Sequence, residues 1–254
     1  MANAQKRPGV NNEFYNELGK DWIIASDHPV ALLRAEAPTK LKFVLEEIHA
    51  RFGPENVEIL DLGCGAGFLA NSLSEHGYNV TGVDRSPGSL EVARQQDLTR
   101  RVRYQVGDAY DLGFHSRSFD VVCAMDLLEH VEDPAHVVRE CARVLSPGGV
   151  LIFHTFNRTV LSWLLAVKGL EWFVANSPPR VHLLRLFIRP SELDQMCRAA
   201  GLHIERLTGI RPALSIGLLR LIATRRVPED VRFRTTRGTS LGYMGSAVRF
   251  PHPA

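Results

Sequence analysis

The chain has 254 residues, 45% hydrophobic and 23% charged, which is typical of a soluble globular domain. Its formal net charge of +2 is too small to indicate a nucleic-acid-binding protein, so we expect no nucleic-acid partner. The four cysteines form no CxxC pair, which argues against a zinc knuckle or a disulfide framework. With a polar N-terminus that lacks the apolar core of a signal peptide, this predicts a cytoplasmic protein.

The first quarter of the chain is predicted to be helical after a disordered start. Residues 1–13 are polar and predict disorder. Residues 14–53 show a helical pattern that breaks near Pro29 and Pro38 and stops at Gly53. We expect this segment to form a helical cap on a single domain that spans residues 14–254.

From residue 57 onward, apolar runs alternate with helical segments. The predicted strands contain VEILDLG, NVTGVD, VRYQVGDA, FDVVCAMDL, VLIFHTF, HIERLTGI and LGYMGSAVRF. Two of the helices are expected to begin after Ser86 and Asp133, because each is a favourable N-cap followed by proline. The alternation predicts an α/β fold, a largely parallel sheet with helices on both faces.

Three glycines at alternate positions, Gly63, Gly65 and Gly67, follow the first predicted strand, which carries Asp61 near its end. Ligands of such sheets bind beyond the carboxyl ends of the strands. A loop without side chains lets a ligand contact the backbone, and the next helix offers free N–H groups. The spacing is GxGxG rather than the GxGxxG of dinucleotide-binding proteins, which disfavours a nicotinamide oxidoreductase.

Three aspartates lie at the ends of three successive strands. Asp84 is positioned to accept hydrogen bonds from both hydroxyls of a ribose, and Asp61 suits an amino group but not a pyrophosphate. Asp108, followed by Ala109, is positioned to bind an adenine amino group. Each aspartate alone could be a helix cap or a loop acid. Together they indicate a nucleoside with a cationic group and no pyrophosphate, which suggests S-adenosylmethionine.

Three of these motifs carry a family resemblance. ILDLGCGAGFLA, VTGVDRS and GDA, within residues 57–156, resemble the successive motifs of class I S-adenosylmethionine-dependent methyltransferases. The resemblance implies a Rossmann-like, seven-stranded sheet with an antiparallel last strand. LGYMGSAVRF would fit the place of that strand.

More specific segments resemble the ubiquinone-biosynthesis O-methyltransferases. They are MDLLEHV, the NR and SW pairs of TFNRTVLSW, FIRP and a late YM, and they run from about Phe14 to Met244. The resemblance implies methylation of a ring hydroxyl of a polyprenylated catechol or demethylubiquinol. Alternatives are a methyltransferase for another small phenol or lipid acceptor and a non-catalytic cofactor-binding module.

The resemblance also implies cofactor contacts. Arg34 would pair with the methionine carboxylate, although the surrounding LLRAEAPTK lacks the family's preceding histidine and its NPLR. Met125 would pack near the adenine. The predicted cofactor-binding residues are Arg34, Asp61, Gly63, Gly65, Gly67, Asp84, Arg85, Asp108, Ala109 and Met125.

The DLLEH segment carries the predicted catalytic residues Asp126, Glu129 and His130. On a helix these positions share one face. Two carboxylates and an imidazole suit a divalent metal, either magnesium or zinc. The family pattern here is E-x-x-E-H, whereas this chain has aspartate first. Without a metal, His130 could act alone as the general base.

An apolar insertion is predicted over residues 159–188. Its tryptophans, Trp163 and Trp172, are interleaved with basic residues, a composition typical of a membrane interface. One interpretation is a lid that covers a lipophilic phenol and rests on the inner membrane as a peripheral contact. The alternative is a helical cap packed as ordinary core. Of two residues near this insertion, Asn157 is expected to line the acceptor pocket and His154 to be structural.

Overall fold

The computed structural model describes residues 9–53 and 56–250. Eight strands form one mixed sheet in the order β3-β2-β1-β4-β5-β8-β6-β7. Their bounds are β1 Glu58–Leu62, β2 Asn79–Asp84, β3 Arg103–Val106, β4 Phe119–Met125, β5 Leu145–Phe156, β6 Leu202–Pro212, β7 Phe233–Thr236 and β8 Gly242–Arg249. Strands β1 to β5 pair in parallel, whereas β8 is antiparallel to β5 and β6. The predicted α/β, Rossmann-like class and the antiparallel late strand are confirmed.

The predicted count of seven strands is too low by one. The additional strand, β7, is four residues long and pairs antiparallel with β6 at the edge of the sheet. Its sequence, FRTT, has one apolar residue and a charged one, so no run of apolar residues marks it.

Nine α-helices surround the sheet within the described part of the chain. They are α1 Asp21–Ile24, α2 Val30–Arg51, α3 Phe68–Glu75, α4 Pro87–Gln96, α5 Pro134–Val144, α6 Val160–Ser162, α7 Gly169–Phe173, α8 Pro190–Ala199 and α9 Ile216–Thr224. The predicted caps are present, because Ser86 Oγ accepts from Ser89 N at 3.1 Å and Asp133 Oδ1 from His136 N at 3.0 Å. A π-helix, Trp163–Lys168, joins α6 to α7.

Helix α2 differs from its prediction because it continues through Pro38. Proline removes one backbone donor and disfavours a helix interior by about 3 kcal/mol. Burial of Phe43, Val44 and Ile48 against the sheet offsets that cost. The uninterrupted helix brings residues near Pro38 to the ends of the central strands.

Alternate residues of the strands pack into two hydrophobic cores, one on each face of the sheet. In β1, Leu60 and Leu62 pack with helices α5 and α8, whereas Ile59 packs with α2 and α3. Because both faces of the central strands are buried, their sequences are continuous apolar runs. This burial also holds the strand ends rigidly at one edge, where the functional side chains lie.

The segment before α2 covers the glycine loop. Trp22 is buried with Ala66, and its Nε1 donates to Ser89 Oγ at 3.2 Å. Residues 1–8 of the predicted disordered start lie outside the described residues. In the described part of that stretch, the N–H of Asn11 donates to the carbonyl of Arg180 at 3.0 Å.

None of the helices in residues 9–53 and 56–250 is both long and apolar enough to cross a membrane. The predicted insertion folds instead into short pieces, namely α6, the π-helix, α7 and a 3-10 turn at Leu184–Leu186.

Candidate active site

A cavity of about 1290 Å³ lies at the carboxyl ends of the central strands. At one end its wall carries most of the predicted cofactor residues, namely Asp61, Gly63, Gly65, Asp84, Arg85, Asp108, Ala109 and Met125. At the other end its wall comes from α2, the insertion, α9 and β6 to β8. The volume exceeds the roughly 300–1000 Å³ of a pocket for one small ligand. It therefore suits a cofactor together with an acceptor.

The glycine loop turns sharply between β1 and α3. Its three glycines have positive φ angles, of 74° at Gly63, 51° at Gly65 and 79° at Gly67. At Gly67 a Cβ would lie 2.3 Å from Tyr104 Oη, so no other residue fits that turn. Gly67 itself does not line the cavity. It shapes the loop, whereas Gly63 and Gly65 form the wall.

Asp84 fixes the loop from the end of β2. Its Oδ2 accepts from the N–H of Gly65 and its Oδ1 from the N–H of Ser86, both at 2.8 Å. A carboxylate has about four lone-pair sites, so two remain for the hydroxyls of a ribose. Burial raises the pKa of this carboxyl group above its usual value, although the backbone donors oppose the shift.

Asp61 carries the feature expected of an amino-group site. It is 3% exposed, and its Oδ2 has no hydrogen-bond partner within the described residues. Burial, with smaller contributions from Asp84 and Asp126, raises the pKa of Asp61 to about 7. A buried carboxylate without a partner is costly, and an ammonium group on the cavity side would satisfy it.

Arg34 lies away from the cavity wall. Its guanidinium donates to the carbonyl oxygen of Trp22 at 2.7 Å and to that of Ala25. Both contacts hold the chain before α2 in place. The contact with the methionine carboxylate, which only the resemblance implies, therefore has no support from this geometry.

The DLLEH segment does not form the predicted helix face. Asp126 has a left-handed backbone (φ 57°), and only Leu128–His130 form a turn, which is 3-10. The three side chains diverge as a result. Asp126 and His130 line the cavity, whereas Glu129 is fully buried behind it and accepts from Thr155 Oγ1 at 2.8 Å.

His130 is a weak proton acceptor in this fold. Its Nδ1 lies 3.1 Å from Asn12 Oδ1. Burial and then the neighbouring His182 lower the pKa of His130 to about 3. An imidazole with so low a pKa is poorly matched to general-base catalysis near neutral pH.

Comparisons with known proteins identify the family. Residues 60–153 match the model of a methyltransferase domain. The chain is 37% identical to the ubiquinone biosynthesis O-methyltransferase of Xanthomonas axonopodis pv. citri over 216 residues, covering 82% of this chain and 89% of that protein. It is 36% identical to the protein of the same name from Coxiella burnetii, covering 77% and 82%. The chain belongs to this family.

Solved structures give the same fold for this O-methyltransferase. A methyltransferase from Methanosarcina mazei superposes with a TM-score of 0.56 at 22% identity, covering 80% of this chain and 97% of that one. Magnesium protoporphyrin IX methyltransferase from Synechocystis, solved with S-adenosylhomocysteine, gives 0.58 at 19%, covering 83% and 82%. The family resemblance read from the sequence is confirmed, and with it an O-methyltransferase that uses S-adenosylmethionine.

The predicted metal trio does not assemble. Among the described residues, a different group brings three potential ligand atoms within 4.8 Å of one another, namely Glu36, Asp126 and His154. The Nζ of Lys40 lies among them, 2.5 Å from Glu36 Oε2 and 2.6 Å from Asp126 Oδ2. A resident ammonium group already occupies the space between these carboxylates and offsets one of their two negative charges. The methyltransferase therefore lacks a donor set that fits magnesium or zinc here.

Glu129 gives a prediction about stability rather than catalysis. Burial, and then Asp126, raises the pKa of this fully buried carboxyl group to about 7. The folded state thus holds the proton more tightly than the unfolded state, and stability falls as the pH rises from about 4.5 to 7. We expect Glu129→Gln to raise the free energy of unfolding at pH 8, on the order of 2 kcal/mol, and not at pH 4.5.

Thermal denaturation at the two pH values measures this difference. Because Glu129 does not line the cavity, kcat of the Gln variant should stay within about threefold of the parent. A collapse of kcat with unchanged stability would instead restore the sequence-based assignment of Glu129 as catalytic.

Sequence reasoning missed two residues that line the cavity and judged a third, His154, to be structural. Glu36 and Lys40 come from α2, a turn apart, and His154 from the end of β5. The sequence around Glu36 and Lys40, LLRAEAPTK, departs from the family pattern, and this departure is the signal that could have identified them. Its significance becomes clear only in the structure, where α2 contacts Asp126. Asn157, expected in the pocket, donates through Nδ2 to the carbonyl of Thr239 and does not line the cavity.

Proposed function

We propose that this protein transfers the methyl group of S-adenosylmethionine to a ring hydroxyl of a polyprenylated catechol or demethylubiquinol. The observation that carries the proposal is one continuous cavity with two chemically different ends. One end presents carboxylates around a glycine loop, and the other is lined by apolar side chains. Such a cavity brings a polar, cationic cofactor against a lipophilic acceptor.

The acceptor end has the composition that a long hydrocarbon tail requires. Leu161, Leu165 and Phe173 line it from the insertion, and Leu218 and Ile222 line it from α9. Burial of each methylene in such a wall contributes about 0.8 kcal/mol. The affinity for a polyprenyl group would therefore increase with its length, while the ring is held near the strand ends.

When bound, S-adenosylmethionine supplies an electrophilic methyl group on a positively charged sulfur. The residues of this chain hold and orient it, with Asp61 at the amino group, Asp84 at the ribose and Asp108 with Ala109 at the adenine. The acceptor hydroxyl would lie beside Asp126, at the adjoining strand end. Binding that aligns the acceptor oxygen with the methyl carbon favours in-line transfer of the methyl group.

The same apolar segments extend onto the surface. Trp163 and Trp172 of the insertion are 38% and 52% exposed. Leu214, which precedes α9, is 90% exposed, and Leu219, within α9, is 67% exposed. Exposed tryptophan and leucine beside arginines are typical of a protein that rests on a bilayer. We propose a peripheral contact with the inner membrane through this surface, with residues 159–188 as a lid over the acceptor end.

Liposome flotation tests the membrane contact. The double variant Trp163→Ser/Trp172→Ser should lose about tenfold in bound fraction, since two large apolar side chains no longer enter the interface. Leu98→Ser is the matched control, because Leu98 is 84% exposed but lies outside both segments. Equal flotation of all three proteins would favour the alternative of a cap packed as ordinary core.

Product analysis tests the reaction. The protein is incubated with S-adenosylmethionine and a panel of catechols with tails of increasing length, and the products are examined by mass spectrometry. We expect a mass gain of one methyl on the ring oxygen and a KM that falls as the tail lengthens. Transfer only to a tail-free phenol would favour the other small-molecule acceptor, and transfer to none would contradict the proposal.

A further inference from the structure

We propose that His154 is the general base that deprotonates the acceptor hydroxyl, positioned by Asp126 and Lys40, and that this unit works without a divalent metal. The inference rests on the proposed function, since it concerns the oxygen that receives the methyl group. It assigns a catalytic role to a histidine that the sequence marks as structural.

The contacts of His154 define which nitrogen can accept a proton. His154 Nδ1 lies 2.5 Å from Asp126 Oδ1. Burial alone would raise the pKa of Asp126, but Lys40 and His154 hold it far below its usual value. The carboxylate is therefore an acceptor only, and Nδ1 of the neutral ring carries the hydrogen. This leaves the lone pair on Nε2.

Nε2 is the ring nitrogen to which the described part of the chain offers no hydrogen-bond partner. His154 is fully buried, and Nε2 has no hydrogen-bond partner among the described residues, yet the residue lies on the cavity wall. The neighbouring wall there is Gly242, where a Cβ would come within 2.9 Å of Nε2. A side chain at this position would crowd the buried nitrogen, and glycine avoids that contact.

Charged groups surround the ring. Glu36 and Asp126 contribute two negative charges and Lys40 one positive charge, and the ammonium group of Lys40 bridges the two carboxylates. Burial would lower the pKa of Lys40, but Asp126 and Glu36 raise it, so the ammonium stays charged. The other titratable groups that face His154 are Glu129 and His182.

The backbone and two neighbouring side chains hold Asp126 in place. Its φ of 57° lies in the left-handed region, which aspartate tolerates better than most residues. Lys40 Nζ donates to its Oδ1 at 2.8 Å and to its Oδ2 at 2.6 Å, and His154 Nδ1 contacts its Oδ1. Asp126 and Lys40 are thus positioning residues, since they act through the imidazole.

The proton and electron balance of the step is complete. The hydroxyl proton of the acceptor moves to His154 Nε2, and the resulting oxyanion forms a bond to the methyl carbon. The carbon–sulfur bond breaks, and its electron pair stays on sulfur, which becomes a neutral thioether. His154 then releases its proton to water.

The first test compares variants of His154 with the parent enzyme, using a short-chain catechol. We expect His154→Gln to lower kcat about 100-fold or more while the Kd of S-adenosylmethionine, by calorimetry, changes less than about threefold. His115→Gln, at an exposed histidine away from the cavity, is the control. Gly242→Ala should also lower kcat, because its methyl group would crowd Nε2.

The second test concerns the resident cation. After dialysis against a chelator the parent enzyme should keep its full rate. Lys40→Met should lower kcat about tenfold while the KM for the catechol changes less than about threefold, because Asp126 loses the donor that holds it against the imidazole. Lys42→Met, at an exposed lysine of the same helix, should leave both kcat and KM unchanged.

The outcomes separate this inference from the proposed function. An active parent enzyme whose His154→Gln variant keeps full kcat, or whose activity is lost to the chelator and restored by magnesium or zinc, would overturn the inference alone. A Lys40→Met variant that keeps the parental kcat would also overturn it. A parent enzyme inactive toward every catechol would overturn the proposed function and this inference together.

Discussion

Replacing Asp84 with alanine is expected to weaken S-adenosylmethionine binding by about 100-fold or more. Two hydrogen bonds from ribose hydroxyls to a carboxylate would be lost, and bonds to a charged group contribute about 1.5–3 kcal/mol each. The substitution also removes the acceptor of the Gly65 and Ser86 N–H groups, so the loop loses its anchor. Isothermal titration calorimetry measures the change directly.

Two further variants make the Asp84 result interpretable. Asp84→Asn keeps the shape of the side chain, and we expect it to lose affinity to a smaller extent. Asp111→Ala removes an exposed carboxylate from the loop after β3, outside the cavity wall, and should bind like the parent. Parental affinity in a folded Asp84→Ala protein would mean that the ribose does not lie at the end of β2.

The affinity of the parent protein for S-adenosylmethionine should rise about tenfold between pH 6 and pH 8. Asp61 has a pKa of about 7 in the free protein, and only its ionised form pairs with the ammonium group. Below pH 7 the carboxyl group must lose its proton before it pairs, so binding releases a proton and is weaker. Above pH 7 this penalty disappears.

Asp61→Asn isolates that effect. The variant should bind weakly at both pH values, because the amide carries no charge, and its affinity should not increase over this range. Calorimetry at pH 6.5 in two buffers of different ionisation enthalpy detects the released proton in the parent and its absence in the variant. A pH-independent parent affinity would indicate that Asp61 has another partner.

Local patterns were sufficient to predict where the glycine loop and its acidic neighbours lie in the sheet. Gly63, Asp61 and Asp84 each sit at a strand end that an apolar run identifies, and in a parallel sheet those ends meet at one edge. Ser86 followed by proline marks a helix start for an equally local reason. The family resemblance depends on these same short motifs.

The acceptor half depends on contacts that no local pattern encodes. Lys40 and Asp126 are 86 residues apart, and they meet because α2 continues through Pro38 and packs across the strand ends. The spacing of DLLEH predicts that its acidic residues and histidine share one face of a helix. The left-handed backbone at Asp126 prevents this arrangement, and the side chain of Glu129 is buried in the core. Tertiary packing therefore decides which acidic and basic groups reach the cavity.

A structure of the protein with S-adenosylhomocysteine and a short-chain catechol tests the central claim most directly. We expect the amino group beside Asp61, both ribose hydroxyls on Asp84 and a catechol oxygen facing the sulfur near His154. A cofactor bound elsewhere, or a diphosphate-bearing molecule in place of the nucleoside at the glycine loop, would contradict it.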